Sequence, residues 1–422
     1  MKPLDRELSL EQAKKNAENV IDLLDLDYEV NFHGSKYGTT SCHLISRKNR
    51  ELKYGSFGKG LTQQEALTGA LFEALEHYFC MEFKKHLDAS VMEIGDYYQS
   101  EALNDIPLSL VSLQSDKKIA IIEYVSAHDL SKKLCIPLAL SNPVFVVLNM
   151  QNGQYEGENF SYDSFKIYSS TNGMSAGSTL NEAIIHSVCE NIERRSFGEF
   201  LISVLGANKP EMLKLINKES LPDYLRCMLE EAERFTREDV VIIDITNKYS
   251  VPAYLAYIKS NNRYESQFGL GCSVYPELAL KRAISEVLQF RVFSKNNKYD
   301  KEFIIKQNRS IFGNFEKDDI YTRFSVLKLA DFIDKNSHII KKKNCPDNSG
   351  ILYGLEEYKN ILLGKIKECG DEFYYASYTK DKFPFFFCIN GFILPVDTSF
   401  LLSKGVKVSF TKQNMEAFQK FG

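Results

Sequence analysis

The chain has 422 residues, 44% of them hydrophobic, with 52 Lys and Arg set against 56 Asp and Glu for a formal net charge of -4. That is enough apolar material for a large core, and it lacks the basic footprint that nucleic acids or anionic membranes attract. No apolar run approaches the ~20 residues that span a bilayer, and Met1-Lys2-Pro3-Leu4-Asp5-Arg6-Glu7 lacks the apolar segment of a signal peptide, so a cytoplasmic protein is expected.

The nine cysteines include no C-x-x-C pair and stand among apolar neighbours, as buried thiols in a reducing compartment do. Cys42-His43 is too little for a zinc site. No composition shift or Pro/Gly/Ser linker cuts the chain, so one body with sub-domains is expected over 1–422. Its parts are an N-terminal helix and strands over 1–55, a core over 56–300 and a C-terminal lobe over 301–422.

Ser9 to Leu24 has the spacing of an amphipathic helix, with Arg6 in an extended lead before it. Short alternating segments around Cys42-His43-Leu44-Ile45 and Glu51-Leu52-Lys53-Tyr54 suit strands. A helix then starts at Thr62, where T-Q-Q-E is a capping box. Three strand–turn–strand pairs follow at intervals. Ile121–Val125 leads to Ile136-Pro137-Leu138-Ala139-Leu140, Val241–Thr246 to Val251-Pro252-Ala253-Tyr254-Leu255, and Phe373–Ser377 to Phe383-Pro384-Phe385-Phe386-Phe387. Each second strand has proline near its start, where the missing N–H does least harm. Leu221 to Phe235 reads as an amphipathic surface helix, and the stretch from Asp300 to Gly350 is charged and rich in Lys and Asn. Within that stretch Lys341-Lys342-Lys343 reads as a solvated loop. The pattern is that of an α/β fold with helices packed on mixed sheets.

Three helices resemble one another. With Glu73, Glu190 and Glu286 superposed, Ala66, Ala183 and Ala279 coincide, as do Leu75, Ile192 and Leu288, and Glu76, Glu193 and Gln289. Each helix follows a glycine segment: Gly55-Ser56-Phe57-Gly58-Lys59-Gly60, Ser169–Ser178, and Gly269-Leu270-Gly271. A strand, glycine-turn, helix unit therefore recurs three times. Steps of four, four and three residues rotate by only ~40°, ~40° and ~-60°, so they hold one stripe. The stripes are Glu65, Gly69, Glu73, Glu76; then Glu182, His186, Glu190, Glu193, with Arg194 beside them; then Leu278, Arg282, Glu286, Gln289.

Taken singly, each is an amphipathic helix with a wet glutamate face, and Glu65 and Glu182 also fit capping boxes that bond the N-cap N–H. Repetition of an acidic pair at i, i+3 points further, because like charges at that spacing cost stability unless something offsets them. Converging carboxylates suit Mg²⁺, and Arg194 and Arg282 would supply donors for phosphate oxygens. No Walker A loop, G-x-S-x-G, H-E-x-x-H or kinase signature is present, and the glycines of Gly55–Gly60 read as a strand-to-helix turn.

The motifs G-K-G-x-T with E-A-L-E-H, S-x-T-N-G-M-S-A-G-S-T-L-N-E-A with E-N-I-E-R, and A-L-K-R-A-I-S-E-V-L-Q resemble the YcaO family in order and spacing, from Arg6 to about Arg291. The resemblance implies an ATP-binding core over 56–300 and cofactors ATP and Mg²⁺. It implies Glu73, Glu76, Glu190 and Glu193 as metal ligands, joined by Glu182. Ser175, Arg194, Arg282 and Arg6, with Glu182, would bind the nucleotide. The implied reaction is phosphorylation of the oxygen of a peptide backbone amide, with cyclodehydration of Cys, Ser or Thr to azolines as the leading product. The implied partners are a peptide or protein substrate and a leader-peptide-binding protein of E1-like type, with a homodimer left open and no nucleic acid or membrane. Three features depart from the family's usual pattern, one being the absence of a lysine often found near Gln64. Gly69 and His77 stand where a serine and an arginine are usual, and the chain ends Met415–Gly422 without a proline-rich tail. They keep open a thioamide-forming enzyme, or an accessory ATP-binding protein for sulfur modification of another protein.

Overall fold

A computed structural model describes residues 5–33, 38–97, 106–152, 155–259, 268–296, 329–346, 352–379 and 382–404. The longer elements run in this order. Helix α1 (Leu10–Leu23) is followed by strands β1 (Leu26–His33), β2 (Gly38–Ser46) and β3 (Leu52–Gly60), then by α2 (Gln63–Met81). Strands β4 (Ser90–Glu93), β5 (Lys118–Ser126) and β6 (Lys133–Pro137), helix α3 (Pro143–Asn152), strand β7 (Met174–Gly177) and helix α4 (Leu180–Phe200) come next. After these lie β8 (Lys214–Ile216), α5 (Asp223–Thr236), β9 (Asp239–Asp244), β10 (Ala253–Lys259), β11 (Phe268–Cys272) and α6 (Pro276–Asn296). The chain continues with β12 (Lys341–Lys343), α7 (Leu355–Glu368), β13 (Glu372–Ser377) and β14 (Phe387–Leu394). This is a mixed α/β fold, as expected. It divides into one unit of Met1–Asn191 with Leu352–Val396 and a second of Ile192–Ile351 with Asp397–Gly422.

In the first unit, β1, β2 and β3 form an antiparallel meander. Helix α1 is held at its start by a full capping box between Ser9 and Gln12, and it buries Ala13, Ala17, Val20 and Ile21. The alanine stripe Ala66, Ala70, Ala74 of α2 is fully buried, and these small side chains let the helix lie close on β3. A second sheet has the order β4-β5-β13-β14-β7, with β6 paired to β5. Strand β7 ends that order and pairs antiparallel with β14, Ala176 opposite Cys388. The second unit holds a sheet of order β11-β10-β9-β8-β12, whose β9–β10–β11 part is an antiparallel meander.

Several expectations need correction. The glycines of Gly55–Gly60 lie inside β3 and those of Gly269–Gly271 inside β11, not in turns. They are needed because the helix backbone crosses directly over the strand: a Cβ on Gly58 would stand 1.8 Å from Ala66 O, and one on Gly271 2.0 Å from Ala279 O. Pro137 ends β6, and Leu138–Ser141 forms a helical turn where a strand was expected. Pro252 precedes β10 as anticipated, whereas Phe383–Phe386 forms a turn and β14 begins only at Phe387. The tri-lysine run is strand β12, parallel to β8, and Lys343 Nζ donates to the buried carboxylate of Asp244 at 2.7 Å. Lysines on a terminal strand also discourage pairing with another chain. The charged stretch over 300–328 and the chain end from Met415 lie outside the described residues.

Candidate functional site

The three expected helix starts are joined to their strands in a common manner. Where Gly58 lies against Ala66 O and Gly271 against Ala279 O, Ser175 lies against Ala183 and its hydroxyl donates to Ala183 O at 2.8 Å. The joint fixes which stripe of each helix faces away from the strand. On α2, Glu73 and Glu76 are half-buried while Ala66, Ala70 and Ala74 are sealed; on α4, Glu190 is half-buried while Ala183, Ile184 and Val188 are sealed.

In the first unit these stripes bring Glu73, Glu76 and Glu190 together. The Glu76 carboxyl is pushed well above the usual carboxylate range, first by burial and then by the charges of Glu190 and Glu73, while the backbone N–H of Ala176 donates to it and pulls the other way. The sequence pattern carried the three glutamates; it held no signal for the Ala176 N–H, which reaches Glu76 only because β7 runs beside α2. Burial also holds the Cys80 thiol up at about 12, with Glu76 contributing, so this cysteine stays protonated beside the carboxylates.

Arg6 and Glu182 are also brought together. Glu182 is 2% exposed, its Oε1 accepts from Glu7 N at 2.6 Å and its Oε2 from Ser178 N at 2.9 Å, and Arg6 Nη1 stands 4.0 Å from Oε2. The carboxylate thus bonds the N–H before the N-cap residue Thr179, one position earlier than the capping box has it. Glu65 does the same to Leu61 N at 2.9 Å, while Thr62 Oγ1 accepts from Glu65 N. Both oxygens of Glu182 are therefore engaged in closing the turn and anchoring the lead. Ser175 is wholly buried, and its hydroxyl donates to Ala183 O.

Glu193 and Arg194 are half-buried on the part of α4 that belongs to the second unit. Arg282, on α6, donates through Nη1 to Cys272 O at 2.8 Å. His77, where the resemblance would have an arginine, sits 3.0 Å through Nδ1 from Gly55 O.

Three oxygen-only donors brought together, one of them with its carboxyl pushed up by burial and by the charges of the other two, are a set that a small divalent cation suits, and Mg²⁺ favours such ligands. Among the described residues no group of three His, Cys, Asp or Glu is already disposed around a common metal position. The chemistry of the donor set fits Mg²⁺.

The family model described as YcaO cyclodehydratase, ATP- and Mg²⁺-binding, matches residues 57–386. The chain belongs to the YcaO family. Residues 57–386 take in α2, the β7 turn, α4 and α6, so the YcaO match covers every acidic stripe described above, while Arg6 precedes it.

The fold of this YcaO chain is shared with solved structures. The YcaO from Methanopyrus kandleri bound with AMPPCP and Mg²⁺ has a TM-score of 0.63 at 15% identity, covering 96% of each chain. A heterocyclase in complex with substrate and cofactor gives 0.61 at 15% identity, over 93% of this chain and 53% of that one. The Escherichia coli microcin synthetase McbBCD complex with pro-MccB17 bound gives 0.57 at 16% identity, over 86% and 87%. Two uncharacterised proteins are also related in sequence. One, from the tfuA 3′ region of Rhizobium leguminosarum bv. trifolii, is 26% identical over 249 residues, and one from Methanothermobacter thermautotrophicus is 27% identical over 237. The matches span 54% and 56% of those relatives' lengths, and 56% of this chain in each case. No helix among the described residues is long and apolar enough to cross a membrane.

Proposed function

We propose that this YcaO chain uses Mg-ATP to activate backbone amides of a ribosomally made peptide, with cyclodehydration of Cys, Ser or Thr to azolines as the leading product. The observation that carries the reading is the meeting of Glu73, Glu76 and Glu190, with the Glu76 carboxyl pushed above the usual range by burial and then by its two neighbours. These three would hold the cation, and Glu193 continues the α4 stripe one turn on. Arg194 and Arg282 would donate to phosphate oxygens, and Arg6 would do so from its place beside Glu182. Bound Mg-ATP supplies the phosphoryl group that makes the amide oxygen a leaving group. The peptide's own thiol or hydroxyl adds to the carbonyl carbon, that oxygen takes the phosphoryl, and phosphate departs, so the peptide loses one water and ATP becomes ADP. The chain's residues orient the donor and neutralise the charge that develops, which is where most phosphoryl-transfer catalysis resides. A leader-peptide-binding partner completes this reading.

A second reading is favoured by His77. Its imidazole lies against the backbone of β3 rather than offering a guanidinium to phosphate, which suits a chain that forms thioamides with a sulfur donor or serves as an accessory ATP-binding protein for sulfur modification. The full chain should be incubated with ATP, Mg²⁺, a Cys/Ser/Thr-rich peptide and the products of neighbouring genes, and the peptide weighed. Loss of one water supports the first reading, and oxygen-to-sulfur exchange the second. Absence of peptide-dependent ATP turnover overturns both enzymatic forms.

A further inference from the structure

Strand β7 is short and terminal in its sheet, so something must fix its register for Ala176 N–H to meet Glu76. A buried polar network does so, and it comes from elsewhere in the chain. Asn390, wholly buried on β14, accepts from Tyr124 OH on β5 at 2.8 Å and donates through Nδ2 to Asn172 O at 3.2 Å. Asn191, 8% exposed on α4, donates through Nδ2 both to Gly391 O, at 2.9 Å, and to Ser187 O, at 2.9 Å. Gly391 N in turn donates to Gly173 O at 2.9 Å, and Ser187 Oγ donates to the same oxygen at 2.7 Å.

The turn these groups grip is Thr171-Asn172-Gly173-Met174, which opens β7. Gly173 has φ +79°, and a Cβ there would stand 1.9 Å from Gly391 O and 2.7 Å from Asn191 Nδ2. Backbone and side chain therefore close on this turn from β14 and α4 at once. A buried network of this kind specifies one arrangement, because any slip strands polar groups out of water.

We propose that Asn390 and Asn191 are positioning residues for the carboxylate site: they lock the Thr171–Met174 turn so that β7 presents Ala176 N–H to Glu76. Neither needs to touch nucleotide or metal. Asn191 follows Glu190 directly, so its hydrogen bond to Gly391 O on β14 also ties the rotation of α4 about its axis, and with it the direction of Glu190. This inference rests on the reading of Glu76 as a metal-site carboxylate.

The test measures binding of AMPPCP to the full chain at increasing Mg²⁺, together with the melting temperature. Asn390→Ala and Asn191→Ala are expected to raise the Mg²⁺ midpoint about tenfold, in the range that orienting neighbours of ligands command. Metal-free AMPPCP binding should stay within twofold. Tyr162→Phe serves as a stability control, since Tyr162 OH donates to the buried Glu158 in a separate network that also includes Ala120 N and Asn149. It should lower the melting temperature without moving the midpoint. If the asparagine variants melt lower but keep the wild-type midpoint, their role is structural only and the inference is overturned. Glu76→Gln separates the two layers. Should it leave the midpoint unchanged, the metal-site reading itself falls; should it raise the midpoint while both asparagine variants do not, only the positioning role falls. If an asparagine variant fails to fold, Tyr124→Phe, which removes one bond to Asn390, is the milder probe, expected to raise the midpoint about threefold, and an unchanged midpoint there counts against the proposal.

Discussion

The joint between β3 and α2 and the joint between β11 and α6 use the same device, a strand glycine pressed on the first-turn carbonyl of an alanine, yet the charge on their outward stripes differs. On α2 the outward stripe carries Glu73 and Glu76, and the second of these is driven up in pKa by burial and then by the charges of Glu190 and Glu73. On α6 the equivalent stripe keeps one acid, Glu286, but adds Arg282, whose guanidinium donates to Cys272 O within the joint, and has Gln289 in place of the second acid. Backbone geometry therefore decides only that a stripe faces outward. The side-chain charge on that stripe decides whether the place resists or invites a cation.

Four experiments would break or sharpen that contrast. The largest effect concerns the shared device. Gly58→Ala and Gly271→Ala each drive a methyl into helix backbone that cannot swing aside, and each should cost about 3 kcal/mol or more of unfolding free energy by denaturant titration. A loss at one glycine only would show that the joints are not alike. Next comes the acidic stripe itself: Glu190→Ala should weaken Mg-dependent AMPPCP binding at least ~100-fold by calorimetry while the far-ultraviolet circular dichroism stays unchanged. Unaltered affinity would make the acidic face mere surface.

The two capping glutamates form the third test. Glu182→Ala leaves the buried Ser178 N–H without its acceptor, and the part-buried Glu7 N–H with it, and should cost ~1–3 kcal/mol, whereas Glu65→Ala, at a half-exposed site, should cost ~1 kcal/mol or less. Equal losses would remove the distinction between them. The smallest effect is in pH dependence. Glu76 binds its proton more tightly folded than unfolded, so its contribution to stability is greatest at acid pH. That contribution is lost as pH rises from the ordinary glutamate range towards the raised folded value. Melting temperature of the metal-free protein should therefore fall across that window. Glu76→Gln should flatten the slope, and Mg²⁺ with AMPPCP should oppose it. A slope unchanged in the Gln variant would assign it to other groups.

Much of this was legible in the residues because periodicity is local. Helical spacing located α1, α2, α4, α5 and α6 and their buried stripes, and the i, i+3 acids singled out Glu73, Glu76, Glu190 and Glu193. The motif order carried the family as well. Ends of elements were read less well. Pro137, Pro252 and the Phe383–Phe387 run all look like strand starts, but proline fits equally before, at the end of, or outside a strand, and only the pairing partner distinguishes these. The tri-lysine run looked like loop because its charge is local, while its strand character comes from pairing with β8 and from Asp244 beneath Lys343.

By itself the sequence determined which side chains could do chemistry, since charge, spacing and capping potential are properties of neighbours along the chain. It could not determine which of them meet. That Glu76 faces Glu190 and receives Ala176 N–H, that Glu182 spends its oxygens on Ser178 and Glu7, and that Ser175 is sealed against Ala183 all depend on how strands and helices close on one another, with Glu7 and Glu182 as far as 175 residues apart. Those contacts are set by helices lying close on glycine strands and by a buried asparagine network, and they exist only once the chain has folded.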